Sequence, residues 1–589
     1  MKPRRILVSL AVLVAAGVAA VLIWRTGRSP GHALKDAADW PEWPARPKTF
    51  VVDIELSETT QEEAGKSVKG TFMKGLRGQD WGLATSGLTG DFQGWFPEPG
   101  AGTEVKDGEL GLRSYRADGL PRLNRDEFVA VLRRHAEGWT SVERTTWRFF
   151  EFLLRKDGNA ARAALHFQLA GPRADRGRTD VQAVLDVEVV KAGDSWKISR
   201  LALREGCRIE SRRPPFNDVT DATGFHFNES TENRDLHQRV INARNIRTNS
   251  GLCVADWNRD GFWDILATQY EKHAVLFVND GLGGFRREAP PFEGSQDAGP
   301  VFAFIDLDGD GLEELVDSNV SGYEDGLCTI AIFTRKDGAW RKLADSLSFR
   351  AANGIRQIMI QALIPWDVDG DGLLDLWFGA YSDSESGKEK FNSLGSFDGA
   401  DNLLFMNKGG LKFSEESDQR GLTGTQYTYA GAFFDFDGDG KTDFYECNDW
   451  GPNPVFLGDG RGHFKRAEGH PFSGSNAYTM GVTIADWDNT GNWSVYTSEM
   501  YSHAGNRILP LAGALTDSTR ASALVMARGN MLFEQSASGA WTESAVERDV
   551  AWADWAWACV FADLDNDSDK DLFVANGFTT HADASAPDW

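Results

Sequence analysis

Carboxylates recur along this chain in a fixed frame. In Asp435-Phe-Asp437-Gly-Asp439-Gly440-Lys-Thr-Asp443, acids stand at positions 1, 3, 5 and 9 and a glycine at position 6. Three acidic side chains spaced by two can converge from a tightly turned loop. The glycine permits the sharp turn that a Cβ would obstruct. Such a donor set suits a hard cation such as Ca²⁺, which takes six to eight oxygens at about 2.3–2.6 Å. No His or Cys lies inside the loop, so the chemistry is that of oxygen ligands.

The frame returns five times. Asp256, Asn258, Asp260, Gly261 and Asp264 form the first copy, and Asp306, Asp308, Asp310, Gly311 and Glu314 the second. Asp367, Asp369, Asp371, Gly372 and Asp375 form the third, and the stretch from Asp435 is the fourth. The fifth is worn: Asp486, Asp488, Thr490 and Gly491, with Ser494 where the last acid should stand. The sixth, Asp563, Asp565, Asp567, Ser568 and Asp571, has serine for glycine. Asp and Gly also favour turns that hold no metal, but near-complete copies in a common frame favour cation loops. EF-hands need a bidentate Glu at position 12 and flanking helices. Position 12 here is Ala267, Asp317, Phe378, Glu446, Thr497 and Val574, which excludes them.

The elements that position these loops read as strands. A short apolar run enters each loop, as at Leu252–Ala255, Gly431–Phe434 and Cys559–Ala562, and another leaves it, as at Asp264–Thr268 and Asp443–Glu446. A further strand and a glycine turn ending in an aromatic follow, as in Val455–Leu457 with Gly460-Arg-Gly462-His-Phe464. Each unit amounts to one four-stranded sheet. A lone sheet leaves bare edges and an unburied face. Radial stacking buries the faces, so the expected fold is mainly β, a β-propeller with cation loops. The loops open at 256, 306, 367, 435, 486 and 563, and about 50 residues is a plausible repeat. The longer gaps hold insertions, Ser382–Asp401 and Tyr501–Asn530; the second has room for a degenerate unit.

Phe225-His-Phe227, the run Gly251-Leu-Cys-Val-Ala-Asp-Trp-Asn258 and the run from Phe561 to Gly577 resemble the FG-GAP/VCBS-repeat propellers of the cartilage acidic protein type. These are integrin-α-like and related to ASPIC/UnbV proteins. The resemblance covers 222–577. It implies seven blades, Ca²⁺ in the strand-connecting loops and an extracellular or surface-associated setting. Six loops, not seven, are found, and no ASPIC/UnbV segment follows, so the ring is expected to be incomplete here or closed differently.

Residues 48–212 read as a small α+β domain ahead of the propeller at 222–589. A helix is expected over Thr59–Leu76, weakened by Gly65, Gly70 and Gly75. Asn124-Arg-Asp-Glu127 resembles a capping box, followed by Phe128, Val131, Leu132 and His135 at helical spacing and a stop at Gly138. Strands are expected at Thr145–Leu154, Ala161–Leu169, Val181–Val189 and Trp196–Leu203. Helices followed by a long meander resemble the cone-shaped SnoaL-like, nuclear-transport-factor-like fold. His166 and Asp186 can face a pocket or solvent, and no catalytic role is assigned to either.

At the N-terminus, basic residues precede an apolar run from Ile6 to Trp24. Its length suits a signal-anchor, with a cleaved signal peptide as the alternative over 1–27. The basic flank puts the body on the far side of the membrane, in the cell envelope or, if cleaved, secreted. A Pro-rich linker spans 28–47. The net charge of −25 disfavours nucleic acid. Five scattered cysteines form no CxxC pair; one disulfide is left open. Trp552, Trp555 and Trp557 invite carbohydrate stacking, but packing between sheets is the commoner use. No nucleophile motif, HExxH, P-loop or dinucleotide fingerprint occurs. The expected function is a calcium-binding interaction module for a protein or glycan; the alternative is an extracytoplasmic enzyme using the cone domain or the propeller face.

Overall fold

A seven-stranded sheet carries the N-terminal part of the chain. The structure, a computed structural model, describes residues 54–577 apart from 108–109, 156, 214–215, 228–250, 270–272, 291–300, 323–326, 337–338, 351–357, 384–398, 474–477 and 512–514. The expected span Ile6–Trp24, the linker and most of Ser382–Asp401 lie outside these residues. Among the described residues no helix is long and apolar enough to cross a membrane.

Helix α1 (Ile54–Val68) starts five residues earlier than the expected Thr59 and runs through a π-helical turn, Lys69–Met73, into Lys74–Arg77. Gly75 is needed for contact, since a Cβ there would lie 2.3 Å from the Ala84 nitrogen. Helix α2 (Arg125–His135) has the expected capping box: Asn124 Oδ1 accepts from the Glu127 N–H at 3.0 Å, and Glu127 Oε2 accepts from the Asn124 N–H at 2.8 Å. Three strands precede α2 that the apolar spacing does not reveal: β1 (Leu88–Trp95), β2 (Thr103–Asp107) and β3 (Leu110–Arg116). They are short, and β1 is interrupted by Gly90 and Gly94. The expected meander follows, longer at its ends, as β4 (Arg144–Leu154), β5 (Ala160–Pro172), β6 (Arg178–Ala192) and β7 (Ser195–Ser211). The sheet order is β2-β3-β7-β6-β5-β4, with β1 parallel to β7.

Alternation assigns the two faces. Phe149, Leu165, Phe167, Val181 and Leu185 join Phe72 of the π turn and Phe128 of α2 in one core. Each such fully buried side chain contributes about 1.5–3 kcal/mol. The opposite face is polar. Asp186 is buried there and accepts two hydrogen bonds from Arg204, at 2.8 and 2.6 Å. His166 does not meet it, so the two residues singled out in the sequence serve separate contacts.

From Gly251 the chain forms five four-stranded antiparallel meanders and then a two-stranded sheet. The fourth is typical: Thr428–Phe434, Asp443–Asn448, Val455–Gly458 and Phe464–Arg466. Its second strand is buried at all six positions, which explains an apolar run rather than an alternating one. The first strand of each sheet lies beside the first strand of the next. Separate apolar cores fill the space between consecutive sheets; Phe436, Tyr445, Val455, Phe472, Val495 and Phe533 fill that between the fourth and fifth. The insertion at Tyr501–Asn530 holds no further unit in its described residues. It forms helix α3 (His503–Ile508), a 3₁₀ turn at Leu509–Leu511 and helix α4 (Asp517–Ala527). All five cysteines are unpaired.

The polar face of the N-terminal sheet docks on this insertion. Arg507 of α3 donates to Glu58 Oε1 at 2.8 Å and to the Phe149 carbonyl at 2.9 Å. Arg148 is ion-paired with Asp554, and His503 Nε2 lies 3.4 Å from the same carboxylate. The His166 ring lies between Phe150 at 4.9 Å and Trp552 at 5.0 Å, with His503 5.7 Å away. Burial pushes His166 down to about 3 and also lowers His503.

Docking should therefore depend on pH. The docked state holds both imidazoles neutral, whereas a free histidine titrates near 6.5. Their contribution is complete above about pH 6.5 and is lost as the pH falls below it, because the separated state then binds more protons. Arg148 opposes protonation of both histidines and Arg507 that of His503, while Asp554 favours it at both. Calorimetry at pH 7.5 should show one transition, separating into two near pH 5. The substitution Arg507→Ala, which strands Glu58, should produce that separation already at pH 7.5 at a cost of about 1–3 kcal/mol. Identical traces for wild type and variant at both pH values would rule this out.

Candidate metal centres

Each acidic loop is a closed turn built on its first residue. Oδ2 of the first aspartate accepts the N–H of position 6 in all six loops, from Gly261, Gly311, Gly372, Gly440, Gly491 and Ser568, at 2.8–3.2 Å. Oδ1 takes further N–H groups; for Asp435 these are Gly438 at 2.7 Å and Asp439 at 3.1 Å. The fifth carboxylate closes a smaller turn onto position 7, as Asp439 does with the Lys441 N–H at 2.9 Å.

Two positions per loop are left-handed, and the sequence frame identified only one. Position 6 has positive φ throughout, including Gly440 at 79° and Ser568 at 82°. Position 4 does so as well: Arg259 at 62°, Gly309 at 75°, Gly370 at 76°, Gly438 at 79°, Asn489 at 54° and Asn566 at 60°. The three glycines and two asparagines at position 4 were the available signal, since both residue types tolerate this conformation. Two of the non-glycine residues at position 4 work across repeats. Arg259 donates to the Gly311 carbonyl at 2.7 Å and Asn489 to the Ser568 carbonyl at 2.8 Å, each reaching position 6 of the next loop.

The ninth-position acid is buried in most loops and bound on both sides. One oxygen of Asp264, Glu314, Asp375, Asp443 and Asp571 accepts the N–H of position 2, at 2.9–3.0 Å. The other reaches the third strand: Asp264 accepts from the Asn279 N–H, Asp375 from Asn407 and Asp443 from Gly458, at 2.7–2.9 Å, while Glu314 accepts from the Thr334 hydroxyl at 3.2 Å. Burial raises Asp375 and Asp443 to about 6 and Glu314 to about 7.

The predicted ligands come together in four loops. Oxygens of Asp306, Asp308 and Glu314, of Asp367, Asp369 and Asp371, of Asp435, Asp437 and Asp443, and of Asp563, Asp565 and Asp571 each lie within 4.8 Å of one another. That spacing fits oxygens sharing one cation at about 2.3–2.6 Å. Asp369 Oδ1 is buried without a hydrogen-bond partner, as a ligand atom awaiting a cation would be. Asp310 and Asp567 stand at position 5 outside these sets, Asp375 turns to the backbone, and Asp439 is paired with Lys441. In the first loop Asn258 Nδ2 donates to Asp260 at 2.8 Å. In the fifth, Thr490 donates to Asp488 at 2.8 Å, and Asp486 keeps the turn.

The sequence profile of the FG-GAP-like repeat matches residues 256–316, 367–446 and 435–497, so the chain carries FG-GAP-like repeats. No curated protein matches it. Solved structures similar to part of it include a putative scytalone dehydratase from Novosphingobium aromaticivorans (11% identity, TM-score 0.20, 26% of this chain and 87% of that one). An NTF-2-like protein of unknown function from Silicibacter pomeroyi (16%, 0.17, 25% and 98%) and a conserved protein from Planctomyces limnophilus (15%, 0.19, 25% and 97%) are similar as well.

The left-handed positions make a direct prediction. Nothing lies within 4 Å of a Cβ added at Gly440, so Gly440→Ala should cost only the conformational term of about 1 kcal/mol. Ser568→Gly should raise stability by about the same amount. Urea midpoints in calcium-free buffer should move in opposite directions; a shift in the same direction would refute the turn geometry as the cause.

Proposed function

We propose that the chain is an extracytoplasmic, calcium-braced β-propeller that presents a binding face to a protein or glycan partner, with a SnoaL-like cone domain docked on its side. One observation carries this reading: the same converging carboxylate loop stands at the same end of consecutive, face-packed four-stranded sheets. Sheets that pack face to face through their first strands are blades about an axis. The FG-GAP-like match supports blades of this type, and the finer resemblance to the integrin-α-like cartilage acidic protein type extends it to seven blades. Oxygen-only ligands and a hard-cation geometry favour Ca²⁺ over softer metals.

The Ile6–Trp24 run supports a membrane anchor or secretion signal, which places the body where calcium is plentiful. The enzyme alternative has less support, because His166 and Asp186 stand in separate contacts, the first against Trp552 and the second against Arg204. The role of the cation is mechanical: it neutralises three converging carboxylates that otherwise repel one another.

A cation that binds only the folded state adds RT ln(1 + [L]/Kd), about 2.7 kcal/mol per site at a hundredfold excess over Kd. Melting should therefore fall on chelation and recover with Ca²⁺. Asp437→Ala should lower the Tm more than Asp486→Ala, because the fifth loop has Ser494 in place of its ninth acid. An unchanged Tm in EDTA, with metal loss verified by elemental analysis, overturns the calcium reading.

A further inference from the structure

The blade ends opposite the aspartate loops carry a continuous array of rings. Trp555, just before the strand Ala556–Ala562, and Trp557 within it are stacked in parallel, with centroids 6.1 Å apart and planes within 7°. Trp557 meets Tyr429 of the fourth sheet at 6.2 Å, and Tyr429 meets Tyr381 of the third at 5.1 Å. The array therefore crosses from the sixth repeat to the third. Gly481 of the fifth sheet leaves room for it, since a Cβ there would lie 2.8 Å from Ser498 Oγ and 3.3 Å from the Trp557 carbonyl. A polar rim accompanies the rings. Tyr381 Oη donates to Asp449 at 2.7 Å, and Trp450 Nε1 donates to Tyr381 Oη at 3.3 Å.

These six side chains are each half-buried, neither sealed in a core nor standing out as exposed apolar residues. At the same end, the Tyr501–Ile508 stretch is held by the N-terminal domain.

We propose that this array binds a neutral oligosaccharide, a proposal that rests on the propeller reading and names its ligand class and site. Pyranose rings present flat C–H faces that stack on indole and phenol rings, and an edge of hydroxyls that pairs with planar polar groups such as a carboxylate. The parallel Trp555 and Trp557 pair supplies the platform, and Asp449 with the Tyr381 and Trp450 donors supplies the rim. Tryptophan and tyrosine provide such contact area at little conformational cost. A quaternary ammonium would need rings converging around one point, whereas the two indoles here are parallel. A protein partner would need a broad apolar patch that stands clear of the surface; of the large exposed apolar residues Trp552 and Val560 share a segment with the two tryptophans, while Leu252, Trp263 and Leu282 lie elsewhere. The net charge of −25 selects neutral over acidic glycans.

The test titrates the full chain, loaded with Ca²⁺, with cellohexaose, xylohexaose, maltohexaose and chitohexaose, reading tryptophan emission and heat. Saturable binding of at least one is expected. Trp557→Ala and Tyr429→Ala should each weaken it by about tenfold, with Trp557→Tyr restoring most of the loss. The calcium-dependent Tm shift should persist in each variant and certifies folding; if Trp557→Ala does not fold, Tyr429→Ala decides. Absence of binding by all four sugars, binding untouched by Tyr429→Ala, or tetramethylammonium competing for the site overturns the proposal. A missing calcium shift with saccharide binding intact would instead sink the calcium reading alone.

Discussion

The repeats depend on the backbone of one residue, that at position 2 of each acidic loop. In the five loops that have a ninth-position carboxylate its N–H is held by that group, as Phe436 N–H is by Asp443. Its carbonyl is taken by the following repeat. The Trp257 carbonyl accepts from Arg335, that of Leu307 from Asn407 Nδ2, that of Phe436 from Trp541 Nε1 and that of Trp487 from the Lys570 N–H, at 2.8–3.1 Å. The side chain at this position is an apolar anchor in the loops of the first five repeats, from Phe436 at 0% exposure to Trp257 at 9%. The backbone of one residue thus ties the loop to its own strands and to the next sheet. A buried amide of this kind is expensive to leave unpaired, so loop geometry and sheet stacking stand or fall together. The ninth-position carboxylates are coupled to sheet stacking by the same bonds.

A second chain of polar contacts runs at the opposite end. Asn402 of the third repeat donates to Glu446 of the fourth, and Asn448 donates to the same carboxylate. Asn453 passes to Thr479, which donates to Glu499 of the fifth repeat, and Asn530 accepts the Glu499 N–H. Burial raises Glu446 to about 7 and Glu499 to about 8, while the amide and hydroxyl donors around them work against that rise. Buried polar contacts of this kind favour one relative placement of neighbouring sheets, where apolar packing alone would tolerate sliding. Only with both ends fixed can the segments beyond the strands vary without moving the sheets.

What the sequence disclosed follows from how local each interaction is. The loop frame was legible because its ligands fall within nine residues, and the Asn124 cap because its partners fall within three. The ninth acid's bond to the third strand was hidden, since Asp375 and Asn407 lie 32 residues apart. Strands β1 and β3 were missed because their glycines break the period, and β2 because its five residues are mostly polar. The insertion after Tyr501 looked polar and featureless, yet Thr516 and Ser502 are ordinary N-caps, and each accepts an N–H three residues on. Low periodicity there reflects short helices docked on another domain rather than a missing sheet.

The docking of the cone changes what the repeated sheets can offer. Arg507 and Asp554, both in segments between strands of the repeats, are spent on Glu58 and Arg148. A segment placed like this would ordinarily be free to vary and to recruit partners. Here it serves as an internal strap, with a guanidinium 8% exposed and a histidine wedged between rings. The strap fixes the cone against the flank of the fifth and sixth repeats, at the end that also carries the ring array. A ligand on that array therefore meets a surface whose one border is set by another domain. The two domains present it together, and a change in docking alters the approach to the array without touching any residue in it.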